Sequence, residues 1–555
     1  MIGVVAGRAE QDVVCEFFEL FKTPWEFCQE SRSYDVVLCA GNVEFRGEAT
    51  LTVCYSSKAT HFDAEHRIQP SHYAKGARDL LYEGNRIPIY GESTGFADAA
   101  NGFLTIADSG EQAAYVRQSL GGVVVRIGYD LFREVRTLLT KGQPAANAPI
   151  PTLELHIALL RNLITGNGVS LVEIPPVPFG HQFIACLTHD VDHPSIRRHK
   201  LDPTIVGFLW RAIFGSVVDV VRGWMSLRDA AKNWAAAIKL PFVYLGLAKD
   251  FWSDFAGRYL EVEKDLPSTF FVIPRKNYAG RGIDTRASAL RAARYEAREL
   301  ADAIGRLTAA GCEVGLHGID AWLDSSAGSE ELEEIRRITG SSEMGVRMHW
   351  LYYNENSPAT LEKAGASYDS TSGYNEAVGY RAGTTQAFKP LEAKQLLELP
   401  LHAMDTALFY VSYLGLSPRD ATAVLERMMG NAVQHGGCIV VNWHDRSLAP
   451  ERLWEAPYKN LVRDMRARGA WFATAAQTVA WFRKRRSAVF EADGVEQGGV
   501  RASVSMHDDV HLPGLRLRVH RPRKFNEGNT QRADRYVDMS VKETAAAGVV
   551  SEIGQ

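Results

Sequence analysis

Residues 183–193 read FIACLTHDVDH, an apolar run that ends in two aspartates and two histidines within five positions. An apolar run of this length is the pattern of a strand buried on both faces. Positions i and i+2 of a strand face the same way, so Asp190 and Asp192 point together. The polar cluster then sits where the strand ends.

The same pattern recurs outward from it. STFFVIP (268–274), CEVGLHG (312–318) and GVRMHW (345–350) read as further strands, and helices are expected through ALRAARYEARELADAIGRLTAAG (289–311) and around SEELEEIRRITG (329–340). Strands alternating with helices argue for parallel pairing with crossover helices, as a barrel or a doubly wound sheet. In either architecture chemistry gathers at the carboxyl ends of the strands.

Four strand ends carry polar residues: Thr188 to His193, Leu316 to Gly318, Arg347 to His349, and Asn442 to Asp445. A lone histidine at a strand end is more often a hydrogen-bonded structural residue, and a single DxD pair is a frequent accident. Four such ends in one domain favour a site. Paired carboxylates with histidines suit metal-assisted hydrolysis, one carboxylate binding the ion and the other taking a proton from water. A histidine across the site suits protonation of a leaving amine.

These residues resemble the polysaccharide deacetylases, the NodB-homology or carbohydrate esterase family 4 group, over residues 183–484. LTHDVD (187–192) is similar to the first motif of that family, and the resemblance implies Asp190 as catalytic base and Asp192 as metal ligand. LHGIDAW (316–322) is similar to the second motif, with His317 as a ligand. Ala321 stands where that motif has its second histidine. VRMHWLYY (346–353) followed by SYDST (367–371) resembles the third and fourth motifs, which implies Arg347 as the residue tuning the base and Asp369 as a further catalytic carboxylate. GGCIVVNWHD (436–445) resembles the fifth, with His444 as general acid. YRAGT (380–384) and LELPLHAMD (397–405) resemble a bacterial subgroup with an N-terminal domain of this kind.

His349, on the same side as Arg347, is the candidate to replace the missing ligand, and His193 is its rival. The resemblance implies a (β/α) barrel of the NodB-homology type and a divalent ion, zinc first, held by Asp192, His317 and His349. It also implies a hydrolase acting on carbon–nitrogen bonds that removes an acyl group, N-acetyl first, from a carbohydrate or glycan precursor. The alternatives are metal-independent hydrolysis of a small amide or imide on the same fold, or a non-catalytic barrel binding a glycan or partner. Trp322, Trp350 and Trp443 are candidates for stacking on a sugar, with core packing as the competing explanation.

The whole chain sets the frame. At 555 residues, 46% apolar and 23% charged with a net charge of −4, it exceeds one core and lacks the basic excess that nucleic acid demands. The expected division is an N-terminal α/β domain over 1–142, a proline-rich linker with a connecting helix over 143–182, the barrel over 183–486, and a small β-rich appendage and tail over 487–555. Seven cysteines without CxxC spacing read as reduced and buried, and the N-terminus shows no secretory signal, so a cytoplasmic location is expected. TIVGFLWRAIFGSVV (204–218) falls short of the ~20 residues of a spanning helix. It is read as a buried or surface-packing helix inserted in the fold, with a membrane-interface helix as the alternative. RKRR (483–486) is read as a helix C-terminal cap.

Overall fold

The computed structural model describes residues 1–541 except 30–31, 42, 44, 46, 66–67, 97–100, 120, 201, 284–286, 493–499, 505–511 and 523–535. The chain divides into two units. One comprises Met1–Gly180, Ala382–Gln386 and Trp481–Gln555, the other His181–Arg381 and Ala387–Ala480.

In the first unit, the expected α/β domain contains the strands Tyr34–Ala40, Ala49–Tyr55 and Gly122–Ile127, paired in parallel with one another and with Ile2–Val5. Antiparallel strands between residues 70 and 119 extend the same sheet. Asp130 caps the Leu131–Thr140 helix by accepting from Arg133 N, and Gly142 follows it in the left-handed region (φ 74°). In the region expected to be a β-rich appendage, LRLRVH (515–520) forms the strand Arg516–His520, which pairs antiparallel with Leu171–Glu173 and so belongs to this unit. Within RKRR, Arg485 is fully buried and Arg486 forms a two-pronged pair with buried Glu16; packing, more than the helix dipole, explains these two.

The second unit is a mixed α/β fold around a parallel sheet. In spatial order its strands are Leu397–Glu398, Tyr368–Asp369, Gly345–Met348, Glu313–Gly318, Ser268–Val272, Phe183–Val191, Cys438–Asn442 and Ala403–Met404, with Ala470–Phe472 beside the start of Phe183–Val191. Every residue of Phe183–Val191, Ser268–Val272 and Cys438–Asn442 is buried, as expected of parallel strands covered on both faces. The barrel expectation is met in part. Among the described residues no ladder joins the two edge strands, but one segment spans the gap: Leu399 N donates to Asp369 O and His402 N to Val440 O. Register aligns His317 with Arg347 and Thr188 with Asn442, which brings the polar strand ends to one rim.

Two helices differ from expectation. The segment 289–311 is helical only over Ala301–Ala309, preceded by short 3-10 turns at Ala289–Arg291 and Ala297–Leu300. Arg291 lies in the first of these turns, with its buried guanidinium hydrogen-bonded to backbone carbonyls of other loops. Pro203–Val221 is one continuous helical run, interrupted only by a π turn at Arg211–Gly215, and is long and apolar enough to cross a bilayer by length and composition. Only 22% of its most apolar window is buried: Ile205, Phe208 and Ala212 pack in a buried cluster while the opposite side is exposed, which is the surface-packing form of the expected helix.

Candidate active site

The rim encloses a cavity of about 330 Å³ lined by Asp190, Asp192, His193, His317, His349 and His444, with Tyr410, Arg446 and Arg452 on one wall. Each acidic and imidazole group is held from the backbone outward. Asp190 is fixed at both oxygens: Arg347 Nη1 donates to Oδ1 at 3.0 Å and Asn442 Nδ2 to Oδ2 at 2.8 Å. Arg347 is itself locked by Thr188 Oγ1 at 2.6 Å and by the carbonyl and hydroxyl of Ser370. Its guanidinium also lies 4.5 Å from the Phe271 ring centroid.

Asp192, His317 and His349 converge, each offering an atom within 4.8 Å of the others. His317 Nδ1 donates to the Arg347 carbonyl at 2.9 Å, which orients Nε2 toward Asp192 Oδ1 at 3.5 Å. His349 Nε2 stands at the same 3.5 Å from that oxygen. Burial holds the His349 imidazole well below the usual range, so it is neutral and able to ligate.

The cluster fits a divalent ion. Asp192 Oδ1 is buried without a hydrogen-bond partner, an expense that an ion would relieve. Ligand atoms ~2.1 Å from a tetrahedral ion lie roughly 3.4 Å apart, close to the 3.5 Å that separates Asp192 Oδ1 from each of the two imidazole nitrogens. Burial would raise the Asp192 carboxyl, but the positive charge that the facing imidazoles carry when protonated outweighs it and holds the group well below the ordinary range. The group is therefore a carboxylate.

His193 lines the cavity but turns to His199, 3.2 Å from Nδ1 to Nε2, and lies outside the three-residue cluster. Ala321 is buried against the glycine at position 328 and offers no donor atom. Around it, the backbone N–H groups of Ile319 and Asp320 are taken by Glu331, whose carboxyl burial pushes up to about 7.

His444 faces the cluster from the opposite side, its Nε2 at 3.8 Å from Asp192 Oδ2. Its Nδ1 is bonded to Asp405 at 2.6 Å. Burial alone would lower this imidazole, but Asp405 outweighs it and pushes the group up to about 10. Asp405 also accepts from His444 N and Ser447 Oγ. The residue singled out from sequence for the fourth motif, Asp369, lies elsewhere: it is buried beside Thr371 and Glu398 and is not among the residues lining the cavity. Burial raises both members of that acid pair.

Asp405 lies within LELPLHAMD but takes no role from the sequence, because it follows a strand of only two residues, Ala403–Met404, and opens the short Asp405–Phe409 helix. Arg291 was missed for a similar reason. It donates to the carbonyls of Ala279, Ile319 and His349, and so pins the turn in which Trp350 (φ 64°) and Leu351 (φ 53°) adopt the left-handed region. Of the three tryptophans proposed to stack on a sugar, Trp322 and Trp443 are buried, and Trp350 alone lines the cavity.

What the fold and cluster define is a mixed α/β protein with a His/Asp site suited to a divalent ion. No family model matches the chain, and no curated protein matches it. Solved structures are similar to it. A probable polysaccharide deacetylase from Pseudomonas aeruginosa PAO1 matches at 13% identity and a TM-score of 0.35, over 56% of this chain and 94% of that one. The polysaccharide deacetylase Bc1974 from Bacillus cereus matches at 14% and 0.25, over 53% and 91%. A CE4 family pseudoenzyme from Bacillus anthracis matches at 14% and 0.25, over 41% and 60%. Likeness at this level carries no argument about chemistry, which rests on this chain's own side chains.

Proposed function

We propose that the chain is a metal-dependent hydrolase that removes an acyl group, N-acetyl first, from a carbohydrate or glycan precursor. The observation that carries this reading is the placement of a fixed carboxylate and a protonated imidazole on either side of one ligand cluster. Asp190 Oδ2 is 3.7 Å from His317 Nε2, and His444 Nε2 is 3.8 Å from Asp192 Oδ2. A binding protein has no physical need for both.

Asp192, His317 and His349 would hold the ion. When bound, a zinc or similar ion polarises the acyl carbonyl and makes water a stronger acid. Asp190, oriented by Arg347 and Asn442, accepts the proton of the attacking water. His444, kept protonated by Asp405, donates to the departing amine nitrogen. Both transfers use groups whose orientation is set before substrate arrives.

Metal content by mass spectrometry tests the reading, paired with acetate release from N-acetylglucosamine oligomers. Wild type and His193→Ala should carry near-stoichiometric zinc, and His349→Ala should lose most of it along with activity. Wild-type protein that takes up no zinc when it is supplied would overturn the mechanism.

A further inference from the structure

Just past the Asp190 strand the second unit carries a helical hairpin, Pro203–Val221 folded back against Leu227–Tyr244. Its inner side is accounted for. Ile205, Phe208 and Ala212 pack with Leu240, Val243 and Trp252 in one buried cluster.

Its outer side is not. Val206, Trp210, Phe214, Val217 and Val221 recur every three or four residues as one stripe and are between 48% and 82% exposed. Ile238, Phe242 and Leu245 on the second helix and Leu247 just beyond it are exposed as well. Nearly half of the large exposed apolar side chains among the described residues fall between Val206 and Leu247. A contiguous apolar stripe of this extent on a folded protein marks an interaction surface.

Charge says which partner. Of the six arginines and lysines between Asp202 and Asp250, Arg211, Lys232 and Lys249 are ion-paired with Glu451, Asp229 and Asp254, while Arg222, Arg228 and Lys239 stand outside those pairs. A second copy would set those cations against their own kind, whereas an anionic headgroup layer answers them, at about 1 kcal/mol for each basic residue near the surface. Tryptophan and phenylalanine on the apolar side with arginine and lysine beside them are the composition of a helix lying in a bilayer interface. Crossing is disfavoured. Arg211, midway along the run, is paired with buried Glu451, and the inner side is committed to packing.

We infer that this hairpin docks the protein onto the surface of an anionic phospholipid bilayer. The hairpin is also fixed to the cavity rim: Glu451 N donates to Asn233 Oδ1 at 2.8 Å and Arg211 pairs with the Glu451 carboxylate, on the loop that carries Arg446 and Arg452. Docking therefore holds the cavity close to the lipid surface. The inference stands whether or not the proposed reaction does.

The test is flotation of the full chain with vesicles of phosphatidylcholine containing roughly a third phosphatidylglycerol, compared with phosphatidylcholine alone. Wild type should float with the mixed vesicles, less so at high salt, with its tryptophan emission quenched by brominated lipid. Trp210→Glu with Phe214→Glu should reduce the bound fraction at least tenfold with an unchanged circular-dichroism melt. If that pair fails to fold, Phe242→Glu on the second helix makes the same demand. Wild type that does not float, or floating that survives both variants, would overturn the inference. So would light scattering that shows a dimer dispersed by these substitutions without lipid binding.

Discussion

At the scale of single residues the site is a set of imidazoles whose protonation is assigned by their neighbours. His349 is kept neutral by burial, while His444, also buried, is kept charged by Asp405. With the folded value raised to about 10, His444 is protonated throughout the neutral range, and its acid function is lost only as pH rises through that value; a cation bound at Asp192 lowers it from there. Asp405→Asn removes the contribution that raises it. The alkaline limb of kcat/KM should then move to lower pH by more than one unit, with a loss of about 10- to 100-fold at pH 8 and little change in zinc content. A limb that stays in place would show that His444 is not the acid. Sequence made Asp190, Asp192, His317, Arg347, His349 and His444 legible because each ends a strand or the turn leaving it. Asp405 was not legible, because it opens the five-residue Asp405–Phe409 helix directly after a two-residue strand, too short a stretch to show any periodicity.

At the scale of elements, parallel strands with buried faces were readable as apolar runs, and their carboxyl ends followed. The loops that shape the ligands were not. Arg291 was read as one turn of a long helix, but its guanidinium is 2.8–3.3 Å from three loop carbonyls and 4.3 Å from the Tyr352 ring centroid. No periodicity announces a buried arginine used in this way. Arg291→Met leaves those carbonyls without a donor and should cost about 2–4 kcal/mol of stability. It should also release the left-handed turn after His349 and weaken zinc binding by about 10- to 100-fold in chelator competition, with partial rescue by Arg291→Lys. A lowered Tm with unchanged zinc affinity would confine Arg291 to a structural role.

At the scale of the molecule, the linear order of the chain hides its division. Residues from Trp481 onward group with the first 180, which composition could not show because nothing in RKRR or LRLRVH says which sheet receives them. Arg485 is buried and donates to Ile174 O at 2.9 Å, to Glu19 O and Leu20 O at 3.0 Å, and to Gln386 Oε1 at 3.1 Å. His520, on the Arg516–His520 strand, shares the buried Glu173 carboxylate with Arg161. A fragment of residues 1–180 lacks Arg485 and His520, so it strands three carbonyls and leaves Glu173 with Arg161 but without its His520 partner. Such a fragment should give no cooperative thermal transition by circular dichroism. In the full chain Arg485→Ala should destabilise the first unit by about 3–5 kcal/mol while zinc content stays at the wild-type level, because every ligand lies in the second. A fragment that melts cooperatively at the temperature of the intact chain would show that the C-terminal residues decorate this unit without completing it.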